Sequence, residues 1–284
     1  MATITNQATL TYNGGSANSN IATAELVETL SMTKTAVRGT YNADSDRVTY
    51  VVTISNSGTA ALTGMTLTDN LGAYTFGTTT LYPLSYRTDS ILYYNNGTLQ
   101  TAPAVTAGPP LVISGITVPA GGNATVIYEA DVTSTAPLAS GSTITNTAAL
   151  SGTGLTAVSD TETVTVAAAP SLSINKAISP SPVVENGRVT YTFTIENRGN
   201  TAAEAADNLI ITDTFDPILS DLAVALNGTA LTSPTGYTYD AATGLFATVA
   251  GQITVPAATY TQDAATGVVT VTPGTAVLTV TGTL

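Results

Sequence analysis

Apolar and polar residues alternate along most of the chain with the two-residue period of a β-strand, and no stretch shows helical periodicity. Clear examples are residues 47–54 (RVTYVVTI), 64–69 (GMTLTD) and 124–129 (ATVIYE). Turn-forming pairs, such as Asn-Gly at 96–97 and at 227–228, punctuate these runs. Short strands at regular spacing with turn residues between them predict an all-β fold made of antiparallel sandwiches.

The chain contains an internal repeat. Residues 47–58 (RVTYVVTISNSG) match residues 188–199 (RVTYTFTIENRG), and one lysine precedes each copy. These lysines, Lys34 and Lys176, are 142 residues apart (176 minus 34), which is the spacing of ordinary domains. We therefore predict two tandem β-sandwich domains, residues 31–169 and 170–284.

A shorter segment also occurs twice, as residues 4–10 (ITNQATL) and as residues 144–150 (ITNTAAL). The later copy closes the first predicted domain. An equivalent segment in the second domain, at the same distance from its lysine, would lie beyond the last residue of the sequence. We therefore expect the second domain to lack its closing strands, and residues 1–30 to hold a spare copy of them.

The composition excludes several kinds of chemistry. The 284 residues include no cysteine, histidine or tryptophan, so disulfides, Cys/His metal sites and catalysis by His or Cys are excluded, and no cofactor is implied. The net charge of −12 is spread thinly, which argues against nucleic-acid binding. No apolar run reaches the roughly 18 residues of a membrane span. The first residues, MATITN, lack the pattern of a secretory signal, and the route of export stays open.

The order of motifs resembles a known family. A strand with one lysine is followed by VTYTxTIxNxG, then by xTDxL and then by IxNxA, as in the prokaryotic conserved-repeat family called "domain of unknown function eleven". The resemblance covers both predicted domains and the N-terminal segment. It implies Ig-like sandwich repeats of the kind found in bacterial surface proteins and in the spore appendages of clostridia. It says little about function by itself.

The duplicated segment suggests how copies of the chain join. A sandwich that lacks strands exposes sheet edges and an apolar cleft, which a strand from elsewhere can fill. We expect residues 1–30 to donate strands to the second domain of a neighbouring molecule, with Ile4, Ala8 and Leu10 at the interface. Such a head-to-tail contact is open and yields a homopolymer. The alternative is that residues 1–30 lie against the first domain as an extra hairpin.

Three polar residues interrupt the apolar stripes of the first domain. The alternation places Lys34, Asp69 and Asn146 on core faces of their strands. Buried polar groups are costly unless they meet each other. Desolvation favours a neutral, nucleophilic amine and a protonated carboxylic acid. The pattern therefore predicts an intramolecular Lys34–Asn146 isopeptide bond whose formation Asp69 assists.

The second domain carries the same lysine and aspartate without the asparagine. Lys176 and Asp213 interrupt equivalent stripes, and Asn6 of the spare segment matches Asn146. We therefore expect an intermolecular Lys176–Asn6 bond, assisted by Asp213. The alternative at both sites is a buried ion pair with the asparagine hydrogen-bonded beside it, which adds little net stability.

These observations together predict a structural subunit of an extracellular fibre or spore appendage that assembles with itself. It would not be a turnover enzyme, because each isopeptide bond would form once and autocatalytically. The expected location is the surface of a cell or spore, with no insertion into a membrane. The alternative function is the repeat region, or stalk, of a cell-surface adhesin.

Overall fold

A computed structural model of the chain describes residues 2–26, 30–42, 46–153 and 155–284. The all-β prediction is confirmed, since nearly all the regular structure consists of antiparallel strands. The only helical element among the described residues is a single 3₁₀ turn, Ala205–Asp207. No helix in these ranges is long and apolar enough to span a membrane.

Residues 2–26, which we call the arm, form two antiparallel pairs of strands, β1 with β4 and β2 with β3. Every side chain described between residues 4 and 24 is exposed, including Leu10 at 67%. The alternative of an extra hairpin packed on the first domain is therefore not what the described residues show. Residues 27–29, which end the predicted second donor run, lie outside the described residues. The strands of the arm are Ala2–Asn6 (β1), Thr9–Tyr12 (β2), Gly15–Asn18 (β3) and Ala22–Leu26 (β4).

The next fourteen strands, which we call the first sandwich, form two six-stranded sheets around one core. The strands are Leu30–Ala36 (β5), Thr40–Tyr41 (β6), Arg47–Asn56 (β7), Leu62–Asp69 (β8), Tyr74–Phe76 (β9), Thr79–Leu81 (β10), Leu84–Tyr86 (β11), Leu92–Asn95 (β12), Thr98–Gln100 (β13), Ala104–Thr106 (β14), Leu111–Val118 (β15), Gly122–Val132 (β16), Thr143–Ser151 (β17) and Val158–Val166 (β18). One sheet has the order β13-β12-β16-β7-β5 with β11 also on β16, and the other has the order β14-β15-β8-β17-β18-β6. A separate hairpin, β9-β10, completes this half of the chain.

The alternation in the sequence decides which side chains fill this core. Along β7, Val48, Tyr50, Val52 and Ile54 point inward and are almost wholly buried, while the residues between them are half-buried or exposed. The inward positions of the facing strands β8 and β17 complete the core. Successive side chains of a strand point to opposite faces, so one face of each sheet becomes apolar interior.

The remaining ten strands, which we call the second sandwich, form a five-stranded and a three-stranded sheet around a second core. The strands are Leu172–Ser179 (β19), Arg188–Asn197 (β20), Thr212–Thr214 (β21), Ser220–Leu226 (β22), Thr229–Leu231 (β23), Tyr237–Asp240 (β24), Leu245–Thr248 (β25), Thr259–Gln262 (β26), Val269–Thr272 (β27) and Gly274–Thr283 (β28). The sheets have the orders β19-β20-β28-β22-β23 and β21-β25-β24, and β26 pairs with β27.

One side of the second sandwich is uncovered. In the first sandwich β8 lies between β15 and β17, whereas its counterpart β21 pairs with β25 alone among the described strands. Buried and exposed residues alternate along β5, but all eight residues of its counterpart β19 are exposed. The stripe that the sequence pattern assigns to a core face is therefore open to solvent, with Ile174 56% exposed. The reason is that no described strand takes the place of β17 and β18.

Candidate functional site

The first sandwich holds the predicted lysine and aspartate in direct contact. Lys34 lies on an inward position of β5 and is only 2% exposed. Its Nζ lies 2.5 Å from Oδ2 of Asp69, the last residue of β8, and 4.6 Å from the centre of the Tyr50 ring. The ion pair is therefore enclosed by the core.

Other groups hold the Asp69 carboxylate in place. The Leu71 backbone N–H donates to Oδ1 over 2.8 Å, and the Tyr128 hydroxyl donates a short hydrogen bond to Oδ2. Tyr128 is fully buried on β16 and stacks against Tyr50. The carboxylate thus has three donors, which fixes its orientation toward the Lys34 amine.

Asn146 lies at the same end of the core. Its neighbour Ala148 on β17 pairs with Asp69, so Asn146, two residues earlier on the same face, lies just beyond the end of β8. Its Oδ1 accepts the Gly72 backbone N–H over 3.2 Å. Within the part of the chain that the structure describes, its buried Nδ2 has no hydrogen-bond partner. An unpaired buried amide is costly, so its retention calls for an explanation.

Gly72 is fitted to this contact by its backbone conformation. Its φ is +71°, a left-handed value that favours glycine. A Cβ at this position would also lie 2.6 Å from Cγ2 of Ile144. The residue therefore lets the loop after β8 approach β17 and donate to Asn146.

The electrostatic surroundings favour a neutral amine. Burial lowers the pKa of Lys34, and the opposing attraction of Asp69 does not restore it. Burial also raises the pKa values of Tyr50 and Tyr128, so both hydroxyls stay protonated. A nucleophilic amine and a carboxamide with an unpaired NH₂ group thus occupy one water-free site, which is the arrangement that amide exchange requires.

The second sandwich carries an open version of this site. Lys176 Nζ makes a short contact with Asp213 Oδ2, but these side chains are 41% and 18% exposed. The amine lies 4.7 Å from the centre of the Tyr191 ring and within 6 Å of two phenylalanine rings, at 5.5 and 5.6 Å. The only other hydrogen bond to the Asp213 carboxylate from a described residue is donated by the Thr214 backbone N–H. No asparagine from the described residues hydrogen-bonds to this pair.

An apolar groove of about 240 Å³ lies on the same open side. It runs between the start of β19 and the segment that leads into β21. Its lining is almost entirely aliphatic: Leu172, Ile174, Ile195, Leu209, Ile210, Ile211 and Ile253, with Ser173.

The arm carries the remaining predicted residues on a hairpin with a familiar register. Asn6 on β1 faces Ala22 on β4, and Asn146 on β17 faces Glu162 on β18, so 16 residues separate the partners in both hairpins (22 minus 6 and 162 minus 146). Every pair of β1 and β4 follows the same rule. The β1/β4 hairpin therefore repeats the β17/β18 hairpin with Asn6 in the place of Asn146. Ile4, Ala8 and Leu10, the predicted interface residues, are exposed on it.

Sequence reasoning missed Tyr128, Asp160 and Glu162. Asp160 Oδ2 accepts the Lys34 backbone N–H over 2.7 Å, and Glu162 Oε1 accepts the Ala36 backbone N–H over 3.3 Å. The signal is visible in the run VSDTETVTV of β18, where the two acids share a face with the buried valines that follow. Tyr128 gives a weaker signal, because a tyrosine on an apolar stripe usually serves packing.

No protein-family model and no curated protein matches the chain. The major pilin subunit of Bacillus cereus is similar in structure, with 11% identity, a TM-score of 0.36 and coverage of 90% of this chain and 70% of that one. The pilus backbone protein of Streptococcus pneumoniae is similar at 10% identity and a TM-score of 0.32, covering 86% of this chain and 56% of that one.

A third similar structure is the collagen-binding domain of a Staphylococcus aureus adhesin, at 12% identity and a TM-score of 0.31. It covers 50% of this chain and 99% of that one. The neighbours are thus pilins and a surface adhesin. At these scores and identities, fold and function have to be argued from the chain itself.

Proposed function

We propose that the chain is a structural subunit of an extracellular fibre, which polymerises head to tail when its arm docks on the open side of a neighbour's second sandwich. One observation carries this proposal. The β1/β4 hairpin has the register of β17/β18, and β21 lacks the neighbour that β17 provides for β8. The arm therefore has the form of the piece that the second sandwich is missing.

The first sandwich supplies the register of the joint. There Ala148 faces Asp69 and Leu150 faces Leu67. A docked β1 in the same register would continue past its present end, with Ala8 opposite Asp213 and Leu10 opposite Ile211. Asn6 would then lie beside Lys176, as Asn146 lies at the end of the core that holds Lys34.

The hydrophobic effect favours this docking. Ile4 and Leu10 are exposed on the arm, and Leu172, Ile174 and Ile210 are exposed at the groove. Burial of each such side chain contributes about 1.5–3 kcal/mol. Docking would also pair the free edge of β21, which otherwise invites uncontrolled association. Because the two surfaces differ, each bound copy leaves both ends free, and the assembly grows as a fibre.

A covalent bond would lock the joint. The neutral Lys176 amine attacks Cγ of Asn6, a C–N bond forms, and the bond from Cγ to the carboxamide nitrogen breaks. Asp213 carries a proton from the amine to the leaving nitrogen, so that one ammonia is released and nothing is oxidised or reduced. Lys34, Asp69 and Asn146 would undergo the same reaction within one chain. The chemistry occurs once per bond, so the subunit is not a turnover enzyme.

The wider setting follows from the motifs. We propose membership of the conserved-repeat family called "domain of unknown function eleven", whose motif order the chain carries in both halves. Within that family, the free arm and the open groove fit a fibre or spore-appendage subunit at the outer surface better than an adhesin stalk. A stalk repeat needs no exchange of strands between molecules.

The test compares the full-length chain with Asn6→Ala and with a matched control, Thr5→Ala, which changes the neighbouring residue of β1. We expect the wild type and the control to form filaments in electron micrographs and a ladder of covalent multimers on a denaturing gel. Asn6→Ala should form filaments that dissolve to monomers in hot detergent. A second variant, Ile4→Asp with Leu10→Asp, should stay monomeric because it places charges in the groove.

Two results would overturn the proposal. A wild-type chain that stays monomeric at high concentration would favour the stalk. Filaments that survive the double aspartate variant would show that another surface joins the subunits.

A further inference from the structure

A pair of carboxylates clamps the edge of the first sandwich. β5 is the last strand of its sheet, so the backbone N–H groups on its outer side have no neighbouring strand. Asp160 and Glu162 of β18 accept those of Lys34 and Ala36. The two acids thus join β18 to β5 across the side of the sandwich by side-chain contacts instead of a ladder.

The arm has uncharged residues at both clamp positions. The matching register of the two hairpins places Asn20 where Asp160 stands and Ala22 where Glu162 stands. Ala22 faces Asn6 as Glu162 faces Asn146. On the receiving side, β19 is also the last strand of its sheet, and Lys176 has the same position relative to β20 that Lys34 has relative to β7. Its outward N–H therefore needs an acceptor from the arm.

We infer that Asn20 is a positioning residue of the fibre joint, which accepts the Lys176 backbone N–H through its carboxamide oxygen and keeps the joint free of a second carboxylate. This inference rests on the proposed docking of the arm. Asn20 supplies the acceptor that Asp160 supplies in the first sandwich. It does so without charge, and Ala22 removes the other acid altogether.

The missing charges change the reactivity of the joint lysine. At the first site, the attraction of Asp69, Glu162 and Asp160 raises the pKa of Lys34 against the larger lowering effect of burial. In the docked joint, the titratable groups that face the Lys176 amine are Asp213 of β21 and Tyr191 of β20, and the arm adds only the carboxamides of Asn6 and Asn20. One carboxylate holds a proton on an amine less strongly than three do. The neutral, attacking form is therefore more abundant at a given pH.

The first experiment separates charge from hydrogen bonding. The rate of multimer formation is measured on denaturing gels from pH 6 to 10 for the full-length wild type, for Asn20→Asp and for a control, Asn13→Asp, which adds the same charge at the far turn of the arm. Asn20→Asp keeps an acceptor oxygen but should move the pH of half-maximal rate upward by about half to one unit, since a nearby carboxylate raises the pKa of the lysine. The control should leave the profile in place.

The second experiment measures the hydrogen bond alone. In chains that carry Asn6→Ala, and therefore cannot cross-link, the critical concentration for filament formation is found by sedimentation. Adding Asn20→Ala should raise it about fivefold, the effect of one net hydrogen bond, while Asn20→Asp should not raise it.

The outcomes distinguish this inference from the proposed function. If the wild type forms no ladder, the covalent joint itself is wrong and the role of Asn20 falls with it. If the ladder forms but Asn20→Asp has the wild-type profile, the fibre joint stands and the role of Asn20 is refuted. An unchanged critical concentration for Asn20→Ala would refute the hydrogen bond to Lys176.

Discussion

The two Lys–Asp pairs allow the energetic effect of burial to be measured within one chain. Asp69→Ala removes the carboxylate next to Lys34, whose side chain is fully buried. Breaking a buried pair by removing one partner costs about 3–5 kcal/mol, because the remaining charge has neither water nor a counter-ion. Tyr128 also loses the acceptor of its hydroxyl. We therefore expect the first sandwich to lose about 3–5 kcal/mol of unfolding free energy.

The matched variant is Asp213→Ala in the unassembled chain. The Lys176 side chain is 41% exposed, so water replaces the lost carboxylate. Exposed ion pairs contribute about 0–1 kcal/mol, and the second sandwich should lose no more than that. A double substitution, Lys34→Met with Asp69→Leu, should cost much less than Asp69→Ala alone, because no unpaired charge is left in the core.

Every protein in this comparison carries Asn146→Ala, so that Lys34 keeps a free amine throughout. Urea denaturation with pulsed hydrogen exchange follows the sandwiches separately, since peptides from β7 report on the first and peptides from β20 on the second. The reasoning is wrong if Asp69→Ala costs as little as Asp213→Ala, or if the double substitution is as costly as Asp69→Ala.

The remaining predictions concern the bond, the loop, pH and the groove. The intact mass of the purified monomer should be lower than the sequence mass by one ammonia, and Asn146→Ala should abolish the loss. Gly72→Ala should destabilise the first sandwich by about 1–3 kcal/mol, measured by urea denaturation, because of its positive φ and the contact with Ile144. In Asn146→Ala the folded pKa of Lys34 lies below the ordinary 10.5, so unfolding takes up a proton and stability should rise with pH toward that value; above 10.0 the tyrosines ionise once unfolded while burial keeps them neutral in the fold, so stability should fall again, and denaturation across pH checks both signs. Ile174→Ser should leave the melting temperature of the monomer within a few degrees of wild type but raise the critical concentration for filaments, because Ile174 is exposed until the arm docks.

Much of this architecture can be predicted from local pattern. The two-residue alternation is enough for an all-β fold, because a strand with one buried face has to alternate. The contact of Lys34 with Asp69 also follows from pattern, since two charged residues on apolar stripes of one core have to find each other. Neither inference needs knowledge of which strands are neighbours.

The parts that could not be predicted depend on pairing between distant segments. The hydrogen bond from Tyr128 to Asp69 joins residues 59 positions apart on different sheets. The clamp of Asp160 on the Lys34 backbone spans 126 positions. The stripe of β19 reads as a core stripe in the sequence and is exposed in the structure, because burial depends on the strands that cover it. Alternation shows which residues share a face but not what lies opposite that face.

The register of the arm bears on the cost of docking. A donor that waited as a single extended strand would have to order its backbone on docking, at about 1–2 kcal/mol per residue. In β1 and β4, five residues each are already paired with one another, and in the register that β17 and β18 use inside the first sandwich. Most of that entropy is therefore lost when the chain folds and not when the fibre grows. The arm can dock as a finished hairpin, with β1 adding to the edge of β21 and β4 reaching across to β19. On this argument the apolar contacts of Ile4 and Leu10 contribute almost fully to the affinity of the joint.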